Sequence, residues 1–301
     1  MSRSRLIFLA LLLLTLAAGC ADPGEGNPSS GDTASPGEAA YIENMGSDTI
    51  VNLALAWAEA YQTVNGEVRI SVTGGGSGTG LAALVNGTVD IANASRQIKD
   101  EERAAIQANG FEPVEFVIAR DAIAIIVNPN NPVSELTLQQ LSDIYSGVIT
   151  NWSQVGGEDR PIVKLSRETN SGTHVYFLEE VLRLGDKENK TLFSPDALLL
   201  PSSEVISAEV RQNPNAIGYD GLGYVTDDLK VVAVSATVGG AYVLPSADTV
   251  NDGTYPIARD LYMYTAGQPT GALLAYLEWI LSPAAQEIVT ELGFVPVGGG
   301  E

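Results

Sequence analysis

The chain has 301 residues with 16 basic and 37 acidic side chains, a formal charge of −21 and a hydrophobic fraction of 45%. So acidic a surface repels nucleic acid and anionic headgroups and excludes them as partners. A single cysteine excludes an intrachain disulfide, and no Cys, His, Asp and Glu spacing suggests a metal site or a cofactor.

Arg3 and Arg5 precede an apolar run from Leu6 to Leu16 and then Ala17-Ala18-Gly19-Cys20, the three parts of a secretory signal peptide over 1–19. The run is short for a membrane span. A thiol at the cleavage site predicts that Cys20 is the lipidated residue of a bacterial lipoprotein. Removing residues 1–19 takes away Arg3 and Arg5 and no acid, leaving 14 basic against 37 acidic residues, a formal charge of −23. Residues 20–40 then read as a tether of Asp, Gly, Pro, Ser, Glu and Thr with no apolar face to bury.

From residue 41 onward strands and helices alternate. Apolar spacing predicts a helix over 49–62, a strand over 68–73, a helix over 79–86, a strand over 88–94 and a helix over 100–109 stopped by Gly110. Two strands follow, around Val114–Ile118 and Ala122–Val127, and a helix starts at Thr137. A strand over Ile162–Leu165 precedes a helix through Val175, Leu178 and Val181, and two helices, Thr270–Leu281 and Pro283–Leu292, close the chain. Ser282-Pro283 supplies the second of them with an N-cap type and a first-turn proline. The alternation indicates an α/β fold with largely parallel sheets. Turn-rich segments at 128–132 and 251–256 are crossover points, so a lobe over 128–254 is inserted into a lobe made of 41–127 and 255–301. Trp57, Trp152 and Trp279 are expected in cores.

The stretch around which the chain is organised runs from Val68 to Arg96: a strand, the loop GGGSGTG and a helix start. Glycines let backbone N–H groups come close to a ligand, and the helix dipole adds positive charge, so the turn suits an anion. No Lys follows the last glycine, which excludes a P-loop, and Asp90 is poorly placed for a dinucleotide fingerprint. Two further segments repeat the arrangement. Gly46-Ser47-Asp48-Thr49 precedes the first helix, and Ser166-Arg167-Glu168-Thr169-Asn170-Ser171-Gly172-Thr173 joins a strand to a helix. Arg167 offers a planar fork that matches a tetrahedral oxyanion, with Glu168 as the residue that orients it. His174, the only histidine, is read as a first-turn surface residue, because its spacing from Ser171 is poor for nucleophilic attack and no G-x-S-x-G elbow occurs.

GSDT, GGGSGTG, VDIANASR, SRETNSGT and NAIGYDGLGY, in this order, resemble the phosphate-binding component of bacterial phosphate ABC transporters. The resemblance covers Tyr41 to Val297. It implies a two-lobed type II periplasmic-binding-protein fold, an α/β fold with a double crossover, closing on one phosphate. Carried over by motif, the contacts are Ser47, Asp48 and Thr49 from the first loop, Ser77 from the glycine loop, Ser95 and Arg96 from ANASR, and Arg167, Ser171, Gly172 and Thr173 from the middle lobe. Ser95 departs from members that have an aspartate there to accept the ligand's proton; Asp48 is the expected substitute, since an ionised acceptor repels a fully deprotonated anion.

The resemblance further implies a non-enzymatic, monomeric, extracytoplasmic receptor, anchored to the membrane by lipid at Cys20, that passes inorganic phosphate to separate permease and ATPase subunits. A receptor for sulfate, molybdate or tungstate, and a phosphate sensor or surface-adhesion protein without transport, are the alternatives.

Overall fold

The computed structural model of the chain describes residues 39–298. The expected signal segment and Cys20 lie outside the described residues. Among those described, no helix is long and apolar enough to cross a membrane.

The first part is three strand-to-helix units: β1 (Ala40–Gly46) and α1 (Val51–Val64), β2 (Val68–Thr73) and α2 (Ser77–Val85), β3 (Ile91–Ala94) and α3 (Asp100–Ala108). β1 pairs in parallel with β2 on one side and β3 on the other, as short crossover helices dictate. The α3 N-terminus carries Asp100, Glu101 and Glu102, which complement the helix dipole. Glu102 also accepts the Lys99 amide at 2.9 Å.

Next comes β4 (Val114–Val127), one strand of 14 residues where the sequence suggested two. The Arg120-Asp121 pair that interrupts the apolar run is no turn. Asp121 stands opposite Arg259 in the ladder with β10 (Ala258–Thr265), so the interruption is matched by a cross-strand charge.

The chain continues through β5 (Glu135–Thr137), α4 (Leu138–Ser146), a 3₁₀ turn at Trp152–Val155, β6 (Val163–Arg167) and α5 (Gly172–Tyr176). α5 widens into a π-helical turn over Phe177–Leu182. β7 (Leu198–Leu200), α6 (Ser203–Gln212), β8 (Ala216–Gly221), a 3₁₀ turn at Leu222–Tyr224, β9 (Lys230–Ser235) and α7 (Ala247–Asn251) precede β10, and α8 (Gly271–Ile280) and α9 (Pro283–Glu291) follow it. Thr137 caps α4 by accepting the Gln140 amide at 3.1 Å. Ser282 makes no such bond and its hydroxyl is buried without a partner; the fixed φ of Pro283 starts α9 instead.

β4 changes partners midway. Residues up to Ala122 pair antiparallel with β10, and Ile123–Val127 pair antiparallel with β8 and β9, so the strand order is β2-β1-β3-β10-β4-β8-β6-β7. The sheet is therefore mixed rather than largely parallel: its flanks are parallel and its centre is antiparallel, because β4 and β10 run past each other in opposite directions.

Buried apolar residues gather on both sides of this change of partners. One group joins α1, α8 and α9 through Leu53, Trp57, Leu277 and Val289, and another joins β4, α4 and β8 through Ile125, Leu141 and Tyr219. Full burial of a side chain such as Leu53 stabilises by roughly 1.5–3 kcal/mol. Trp57 and Trp152 are core residues, as expected, and donate their indole N–H groups to the Ala285 and Asn215 carbonyls at 2.8 and 3.0 Å. Trp279 packs on Tyr61 with ring centroids 5.2 Å apart.

Candidate anion-binding site

Three loop-to-helix junctions meet near the place where β4 changes partners. In the first, the Ser47 amide donates to the Asn93 carbonyl at 2.8 Å, which fixes the turn after β1 and buries Ser47 and Thr49. In the second, the Ser77 hydroxyl opens α2, accepts the Ser95 amide at 3.0 Å and lies 3.3 Å from the Ser95 hydroxyl. In the third, Ser171 is the N-cap of α5 and accepts the Thr173 amide at 3.2 Å.

The junctions touch one another. The Thr49 and Thr173 hydroxyls are 2.8 Å apart although 124 residues separate them in the chain. A Cβ on Gly172 would sit 2.3 Å from the Ser77 hydroxyl oxygen and 2.6 Å from that of Ser95, so any larger residue there would have to displace the serines. Gly76, at φ +93°, meets the Asn170 carbonyl in the same way, with 2.8 Å left for a Cβ. Thr49, Ser77, Ser95, Gly172 and Thr173 therefore form one buried cluster of small donors.

Arg167 lies beside it with 1% exposure. Its Nη1 donates to the Ser203 hydroxyl at 3.0 Å and its Nη2 to the Pro201 carbonyl at 2.9 Å, and Nη2 also pairs with Asp48 Oδ2 at 3.1 Å. Its Nε is buried and has no partner. Glu168 is exposed and takes no part, so the orienting carboxylate is Asp48, brought across from the first loop. Burial raises the Asp48 pKa, against the opposing pull of Arg167 and of the Ser203 amide, which donates to Oδ2 at 3.0 Å.

Arg96 is buried too, but both its η nitrogens are held by Glu102, at 2.8 and 2.7 Å, and Nη1 also donates to the Gln97 carbonyl. It lines a groove of about 820 Å³ that adjoins the hydroxyl cluster at Arg259.

Sequence reasoning passed over Arg259, Asp121 and Asp220. Arg259 Nη2 donates to the Thr173 hydroxyl at 3.0 Å and to Asp121 Oδ2 at 2.9 Å, while Nη1 donates to the Ser95 carbonyl at 2.8 Å. Asp121 also accepts the Leu222 amide at 3.0 Å, and burial raises its pKa against the pull of Arg259. Asp220 is fully buried, with Oδ2 unpartnered, and burial pushes its pKa up to about 7 even though Ser203 and Arg167 favour the ionised form. The usable signal was a charge set inside an apolar strand pattern, which demands a buried partner.

His174 is buried rather than on the surface. The turn of α5 stacks its ring on Phe193 at 4.4 Å and brings Nδ1 to 3.1 Å from the Ser166 hydroxyl, and burial lowers its pKa, so it is neutral near pH 7. Among the described residues no cluster of His, Cys, Asp and Glu could hold a metal ion. Hydroxyl and backbone donors beside two guanidinium groups suit a tetrahedral oxyanion stripped of water.

Known proteins point the same way. Residues 31–284 match the family model described as a PBP superfamily domain. The phosphate-binding protein PstS of Pseudomonas aeruginosa is 34% identical over 278 residues, covering 87% of this chain and 84% of its own. That of Bacillus subtilis is 33% identical over 302 residues, covering 99% and 95%. A Clostridium perfringens structure with bound phosphate, described as a phosphate ABC transporter substrate-binding protein, superposes with a TM-score of 0.76 at 33% identity, covering 85% of this chain and 99% of that one. An ABC-type phosphate transport receptor from Vibrio cholerae superposes at 0.68 with 29% identity, covering 85% and 100%. The fold is the type II periplasmic-binding-protein fold that the motifs implied, and the chain belongs to the PstS family of phosphate-binding proteins within the PBP superfamily.

Proposed function

We propose that the protein is an extracytoplasmic receptor for inorganic phosphate, a binder and not an enzyme, that hands its ligand to the permease and ATPase of an ABC importer. The observation that carries this reading is the contact of Thr49 with Thr173 beside the packing of Gly172 on Ser77 and Ser95, which gathers donors from three loops at one point.

In this reading Ser47, Asp48, Thr49, Ser77, Ser95, Arg96, Arg167, Ser171, Gly172 and Thr173 hold the anion. The lobes are 41–127 with 255–301, and 128–254. They move about the connections formed by β4 and the chain entering β10, and their closure is the state the permease reads. Asp48 keeps one oxygen on Arg167 and Ser203 and offers the other to the proton of phosphate. The lipid anchor at Cys20, a monomeric state and attachment to a bacterial membrane complete the proposal.

Titration calorimetry with phosphate, sulfate and molybdate tests it. One-to-one binding of phosphate with sulfate silent is the expected result. Equal binding of sulfate would turn the protein into a general oxyanion receptor, and no binding of any of the three would favour a sensor or adhesion protein.

A further inference from the structure

Arg259 joins the second junction to the third. Its Nη1 meets the Ser95 carbonyl at 2.8 Å and its Nη2 meets the Thr173 hydroxyl at 3.0 Å, and Thr173 in turn meets Thr49. Because the Thr173 oxygen accepts from the guanidinium, its own hydrogen is left to point at Thr49 or at an anion in the cluster. Behind Arg259, Asp121 receives both Nε and Nη2 and is fully buried. The pair is a fixed dipole whose positive end abuts the hydroxyl cluster.

We infer that Arg259, held by Asp121, is the residue through which the site favours the doubly over the singly charged ligand. This rests on the phosphate reading above. A dianion gains twice as much as a monoanion from a given positive potential, and in this buried place water screens little of it.

Several titratable and charged groups surround Arg259, and the groove it lines also carries Arg96, Glu179, Glu180, Arg183 and Asp260. Asp121 faces it from β4, Tyr176 from α5 with the guanidinium carbon 5.6 Å from the ring centre, and Tyr262 from β10 itself. Burial pushes both tyrosines up to about 12, so they stay neutral while phosphate passes from monoanion to dianion. Asp220 lies near Asp121 on β8.

The experiment is calorimetry of the full chain in detergent, as wild type, Arg259→Gln, Arg259→Lys and Asp121→Asn, with phosphate below and above its second dissociation. For Arg259→Gln the affinity for the dianion should fall by roughly 10- to 100-fold and that for the monoanion by less, so the ratio between them drops. Arg259→Lys should keep most of the ratio. Asp121→Asn, which removes the negative end of the dipole, should raise it. Mere structural damage would lower both affinities alike in all three variants. A wild-type ratio in Arg259→Gln would overturn the inference, and so would a ratio lowered by Asp121→Asn. If Arg259→Gln does not fold, the ratio expected to be kept by Arg259→Lys and raised by Asp121→Asn still decides. Absence of phosphate binding by the wild-type chain would strike the receptor reading itself.

Discussion

Asp48 Oδ2 lies 3.1 Å from Arg167 Nη2 and accepts the Ser203 amide at 3.0 Å, so one carboxylate ahead of α1 clasps both the end of β6 and the first turn of α6. The Tyr224 hydroxyl donates to the Asp48 carbonyl at 2.8 Å and adds to the clasp. Asp48→Asn keeps the shape and removes the charge. Phosphate affinity should fall roughly 10-fold, the loss of one charge-assisted hydrogen bond. If the second oxygen reads the ligand's proton, discrimination against sulfate should fall as well, and competition calorimetry with the two anions measures both effects. A weaker affinity with unchanged discrimination would leave Asp48 as a clasp alone.

Asp220 makes stability depend on pH. Burial raises its pKa from 3.8 to about 7. The folded value lies above the unfolded one, so the native state binds the proton more tightly. Stability is therefore lost as pH rises from about 4 through about 7, by on the order of 2–4 kcal/mol if no other group compensates. Asp220→Asn should melt at a higher temperature than wild type above about pH 7, with the gap closing toward about pH 4. Thermal melts across that range check it, and a constant gap would mean that Asp220 is ionised throughout.

The sequence carried the local part of this structure well. β2 occupies residues 68–73 as expected, and α3, α4 and α8 begin within a residue of their predicted starts, because apolar period and capping residues are local signals. The three junctions were legible for the same reason. What escaped was pairing across distance. Arg259 and Asp121 are 138 residues apart, and each alone reads as an ordinary strand charge. His174 looked exposed because nothing local announces Phe193 against its ring or Ser166 against its Nδ1. Glu168 was chosen to orient Arg167 because it is adjacent in the chain, yet it lies just past the end of β6 and is exposed. Asp48, 119 residues earlier, is the carboxylate that arrives.

Gly172→Ala tests the closeness of the serine pair to α5. The added methyl would start 2.3 Å from the Ser77 hydroxyl oxygen, so either the serines rotate away or the two segments separate. The cost should be about 1–3 kcal/mol of stability, as for other overpacked sites. Phosphate affinity should fall by more than that cost alone implies, since three of the proposed ligand groups shift together. Melting and calorimetry on the same preparation separate the two effects; full affinity in a stable variant would show that the serines have room to yield.

Asn170 is exposed, yet it ties the third junction to the glycine loop. Its Nδ2 donates to the Gly75 carbonyl at 2.8 Å and to the Thr79 hydroxyl at 3.3 Å, and its carbonyl accepts the Gly78 amide at 3.0 Å. Asn170→Ala removes the side-chain bonds and leaves the backbone bond. Each lost bond is worth about 0.5–1.5 kcal/mol where water can replace it, so the fold should tolerate the change with little loss of melting temperature. If these bonds form as the lobes close, the loss falls on the closed state and appears as release of phosphate roughly 5- to 10-fold faster, with association almost unchanged. Stopped-flow measurement of both rates decides. A slower association with unchanged release would mean that Asn170 shapes the open receptor rather than the closed one.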